Sequence, residues 1–118
     1  MAIIDWDQFN ENFQYYDKEI ITEVIDIFVD EYEVRISNMQ KNIEERDYTN
    51  LAFNAHSFKS VIGNYMAPKA YELTRKLEEL AKTNSGEGIP EIFTEMKSTT
   101  KELLLELKEY LLNLENQE

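Results

Sequence analysis

Apolar side chains return every three or four positions along almost the whole of this 118-residue chain, a period that suits helices and leaves no room for a sheet. Trp6, Phe9 and Phe13 follow the period over a short segment, about 5–13, with Asp5 as its N-cap. Ile21, Val24, Ile25, Phe28, Tyr32, Met39 and Ile43 carry it through a long helix, about 17–46, capped by Asp17. Leu51, Ala55, Phe58, Ile62 and Tyr65 form a narrow stripe over about 48–66. Pro68, unable to continue a helix but favourable in a first turn, separates it from a third bundle helix, about 68–83, built on Ala70, Leu73, Leu77 and Leu80. The loop "TNSGEGIP" precedes the last, about 90–115, with Phe93, Met96, Leu103, Leu107, Tyr110, Leu111 and Leu114, and the chain then frays in "ENQE". Each long helix needs a partner for its stripe. The expected fold is all-α: a single domain, residues 1–118, forming an antiparallel up-and-down four-helix bundle with a short extra N-terminal helix.

Composition narrows the partners. The net charge is −12, so phosphate backbones and anionic lipid are repelled, and neither nucleic acid nor a membrane surface is expected. No cysteine is present, which removes disulfides and thiolate chemistry. The N-terminus lacks the basic-then-apolar order of an export signal, and no apolar run approaches the ~20 residues that span a bilayer. The expected location is the cytoplasm, and Met1 favours a free-standing protein. Three glycines and no GK[ST] loop leave no ATP site, so no kinase activity of its own is expected.

His56 is the only histidine. On a helix it lies roughly 140° from the centre of the Leu51–Tyr65 stripe, facing solvent rather than core. A surface histidine without a role satisfies the same geometry. A metal centre does not, because Phe53 occupies the position where bundle di-iron sites place Glu, and no second histidine or cysteine completes a shell. Around His56 on its face lie Ala52, Lys59, Ser60 and Gly63: small residues that leave room for a bulky group, and a cation able to reach an anion. A neutral imidazole, with its ordinary pKa of about 6.5, is a competent nucleophile for a phosphoryl group.

The segment "AHSFKSVIGNYMAPKAYELTRKLEEL" resembles the signature of histidine-containing phosphotransfer (HPt) domains of two-component phosphorelays through Ala55, His56, Phe58, Lys59, Asn64, Ala67, Leu73, Leu77 and Glu78. It departs from that signature in having Ser60 where the family has Gly after the Lys, and Met66 where it has Gly before Ala67. The resemblance implies a phosphorelay intermediate. His56 would accept a phosphoryl group from a receiver-domain aspartate of a hybrid sensor kinase and pass it to the receiver of a response regulator. Lys59 would stabilise the phosphoryl group, and Ser60 would donate a hydrogen bond to it. Thr49, Ala52, Phe53, Ser60, Gly63 and Asn64 would meet the partner, Asn64 also holding helix and turn in place. No cofactor is implied for this chain, Mg2+ being expected only on the receiver domain.

Phe53 reads equally as an exposed contact residue or as packed under the N-terminal helix against Trp6 or Phe9. Trp6, Tyr15 and Tyr16 read as caps on a core, and the acidic clusters "EERD" and "KLEEL" as solvated helix faces. A monomer is expected, with the leucine-rich "ELLLELKEYLLNL" as the face of a possible homodimer. The competing function is a scaffold or inhibitor that binds receiver or kinase domains without being phosphorylated.

Overall fold

The computed structural model describes residues 2–116; residues 1, 117 and 118, which the sequence reading places in the domain and its fraying tail, lie outside the described residues. The described residues form five α-helices: α1 (Trp6–Phe13), α2 (Lys18–Glu44), α3 (Tyr48–Ile62), α4 (Pro68–Lys82) and α5 (Ile89–Glu115). The last four form the bundle, α2 packing on α3, α3 on α4, α4 on α5 and α5 back on α2. The molecule measures 51 × 23 × 22 Å.

Local chemistry sets the helix limits. The Asp5 carboxylate accepts the Gln8 backbone N–H at 3.2 Å, and Asp47 accepts that of Asn50 at 3.1 Å, satisfying amides that each new helix leaves open. Asp17 occupies the N-cap of α2, but its side chain makes no capping hydrogen bond. Pro90 sits in the first turn of α5, where its missing N–H costs nothing. The largest difference from the periodicity is at the end of α3. The α-helix stops at Ile62, not Met66; Gly63–Tyr65 form a 3₁₀ turn, and Met66 takes a left-handed conformation with φ +56°.

α2 and α5, with 27 residues each, are roughly 40 Å long, while the 15 residues of α3 and α4 reach only roughly 22 Å. The first third of α2 and the last third of α5 therefore run past their neighbours, and α1 covers the overhang. Phe9 and Phe13 are buried there; Trp6 stacks on Tyr110 with ring centroids 5.5 Å apart, and Phe9 meets the same ring edge-on at 4.9 Å. Tyr15 does not cap the core but is 88% exposed. The Glu106 carboxylate accepts the Ile3 and Ile4 N–H groups, and the Asp5 N–H donates to the Met66 carbonyl at 2.8 Å, tying the N-terminus to both α5 and the α3–α4 turn.

Candidate functional site

The core fixes which way α3 faces. Leu51, Ala55, Phe58 and Ile62 are fully buried, Phe58 stacked on Phe28 with centroids 6.2 Å apart. On the flank toward α2, Arg35 donates to the Ser57 hydroxyl at 3.1 Å and Asn54 donates to the Asn42 side chain at 2.7 Å. With its inner side and one flank held, α3 turns Thr49, Phe53, His56 and Ser60 to solvent, and Ala52, Lys59 and Gly63, half-buried, toward α4.

His56 has 61% of its side chain exposed, and its Nδ1 donates to Glu78 Oε2 on α4 at 3.0 Å. Glu78 is the centre of the site. It is 4% exposed, and besides His56 it takes the Lys59 ammonium at 2.9 Å on Oε1 and the Lys82 ammonium at 3.0 Å on Oε2. Burial pushes its carboxyl up, but Lys59, Lys82 and the His56 N–H outweigh burial and hold it down to about 2. The Glu78 partnership in turn raises Lys59, which stays an ammonium. An ionised carboxylate can only accept, so the proton of the His56–Glu78 hydrogen bond resides on Nδ1. Nε2 is left with its lone pair as the nucleophilic atom of the ring.

Several expectations are corrected. Glu78, within "KLEEL", is not on a solvated face: α4 packs between α3 and α5, so its buried side is broad and takes in Thr74 and Glu78 as well as Leu73 and Leu77. Lys82 was missed altogether. The available signal was the spacing Thr74, Glu78, Lys82, a line of four-residue steps along one flank of α4. Lys59 does not stand free over the face; its side chain is 17% exposed, on Glu78 and 6.0 Å from the Tyr71 ring centroid. Ser60 is exposed and donates to the His56 backbone carbonyl at 3.1 Å, one turn back along the helix. Phe53 is 72% exposed and does not lie under α1, whose Trp6 and Phe9 pack on Tyr110 instead. Asn64 is exposed beyond the end of α3, its carbonyl accepting from Asn12 at 3.3 Å. Gly63 has ordinary helical geometry, and a Cβ there would meet Tyr71 at an unstrained 3.6 Å, so the fold itself does not demand glycine.

Among the described residues no helix is long and apolar enough to cross a membrane, and no group of three or more His, Asp or Glu side chains could hold a metal ion.

The family model of the Hpt domain matches residues 23–117, most of the chain, and the chain belongs to that family. Hpt domains act in histidine phosphotransfer in two-component phosphorelays, where they interact with receiver domains; they are phosphocarriers and in general not enzymes. No curated protein and no solved structure matches the chain.

Proposed function

We propose that this protein is a phosphorelay intermediate that accepts a phosphoryl group on His56 from the aspartate of one receiver domain and passes it to the aspartate of another. The observation that carries the reading is the pairing of an exposed imidazole with a buried, ionised carboxylate: Glu78 fixes the proton on Nδ1 and leaves Nε2 free at the surface.

The step balances without a co-reactant. The Nε2 lone pair attacks the phosphorus of an aspartyl phosphate; an N–P bond forms as the acyl-phosphate P–O bond breaks, and the aspartate leaves as its carboxylate. The ring then carries positive charge, and the Nδ1–H keeps donating to Glu78, which offsets that charge at 3.0 Å. Return transfer to a second aspartate runs the same bonds in reverse. Lys59 contributes positive charge beside the phosphoryl group while bound to Glu78. Any divalent ion belongs to the receiver partner, and this chain needs no cofactor or kinase activity of its own for the exchange. Thr49, Ala52, Phe53, Ser60, Gly63 and Asn64 form the surface that the receiver meets, and a cytoplasmic monomer suffices for the role.

Intact-mass spectrometry after incubation with a phosphorylated receiver domain tests the proposal. The expected result is one acid-labile phosphoryl adduct, absent in His56→Gln. Binding of the receiver with no adduct on the folded wild-type chain overturns it in favour of an unphosphorylated scaffold.

A further inference from the structure

The His56 ring N–H and two lysine ammoniums contact the two oxygens of Glu78, and they differ sharply in what they leave behind on moving away. Among the described residues Lys59 is the sole ion-pair partner at Oε1; its side chain is 17% exposed and set against Tyr71. Oε1 is buried and takes no hydrogen bond, so the Lys59 charge is its compensation, and departure of Lys59 would leave that ionised oxygen uncompensated, a costly state. Lys82 is the opposite case. It shares Oε2 with His56, so that oxygen keeps a donor if Lys82 leaves. Its side chain is 64% exposed, on the last turn of α4, and its ammonium is free to swing through solvent. Both His56 Nδ1 and Lys82 Nζ lie 3.0 Å from one atom, so the two nitrogens are at most twice that apart.

Resting on the reading of His56 as phosphoacceptor, we infer that Lys82 is the mobile cation that contacts the phosphoryl group on His56, whereas Lys59 is a positioning residue that stays on Glu78. A phosphoryl group on Nε2 brings negative charge to a ring whose Nδ1 shares Oε2 with Lys82, and Lys82 loses little by releasing that oxygen. That charge draws the ammonium from the carboxylate to the phosphoryl oxygens. Lys59, by holding Oε1, keeps Glu78 ionised and aimed at Nδ1. The two lysines thus divide the work: one fixes the imidazole, the other shields the group it carries.

Wild type, Lys82→Gln, Lys82→Arg and Lys59→Gln chains are loaded with a small phosphoramidate donor, freed of donor, and followed by intact mass, with the His56 tautomer read by long-range 1H–15N correlation spectra. Lys82→Gln is expected to take the adduct, lose it about two- to fivefold faster than wild type, the range of one partly exposed ion pair, and keep the Nδ1–H tautomer. Lys82→Arg should restore the lifetime. Lys59→Gln should instead disturb the tautomer. Equal adduct lifetimes in wild type and Lys82→Gln, or a tautomer change in Lys82→Gln, overturn the assignment of Lys82 and leave the role of His56 standing. Failure of the folded wild type to load from this donor and from a phosphorylated receiver overturns both.

Discussion

At the scale of single residues, Glu78 decides the chemistry. A carboxylate held at about 2 in the folded chain, against 4.5 for the free group, contributes stability that is fully present above about pH 4.5 and is lost as pH falls toward 2. Glu78→Gln removes that contribution, so the gap in unfolding free energy between wild type and Glu78→Gln should narrow between pH 5 and pH 2.5. Urea denaturation at a series of pH values measures it, and a constant gap would mean that Glu78 is not ionised through its partners. His56 was legible in the sequence because phase alone turns it away from the Leu51–Ile62 stripe. Glu78 was legible only as a matching position of the family signature; its burial and its partners were not, because a charged side chain next to Leu77 looks solvated unless the neighbouring helix is known to bring His56 and Lys59 over it.

At the scale of elements, the end of α3 explains what periodicity can and cannot reveal. Ile62 and Tyr65 are three apart, and a 3₁₀ turn has three residues per turn, so both side chains stay in the core while the helix type changes under them. The apolar pattern continues through the change unaltered, which is why the sequence extends the helix to Met66. The left-handed Met66 then starts the turn into α4, and a residue without a Cβ suits that conformation best, in keeping with the glycine that the family signature places there. A β-branched side chain suits it worst. Met66→Val is expected to destabilise the protein, against a smaller change for Met66→Gly, whose relief of strain offsets its lost packing. Thermal unfolding of the two variants checks the order, and equal losses would show that packing rather than backbone conformation dominates at this turn.

At the scale of the molecule, charge and shape separate two sides. Residues 48–82, which hold the whole site, carry five Lys or Arg against three Glu, a net of +2, so the remainder of the −12 chain carries −14. An acidic partner pocket is therefore attracted to the α3–α4 face and repelled elsewhere. Phe53, one turn from His56 and 72% exposed, supplies an aromatic anchor on that face. Phe53→Ala should weaken receiver binding roughly five- to thirtyfold, while loading from a small phosphoramidate is unchanged, since a small donor does not touch the ring. Titration calorimetry with a receiver separates these; an unaffected affinity would remove Phe53 from the interface. The four-helix plan was readable because each stripe needs a partner, whereas the unequal helix lengths and the use of α1 to cover the overhang arise only when the four are packed together. The central claim, that His56 carries the phosphoryl group on Nε2 while Glu78 keeps the proton on Nδ1, is tested most directly by 15N and 31P spectra of the uniformly labelled chain before and after loading. One phosphorus signal coupled to Nε2 of His56, with the Nδ1–H resonance retained, is the predicted result; phosphorus on Nδ1 or on another residue would contradict it.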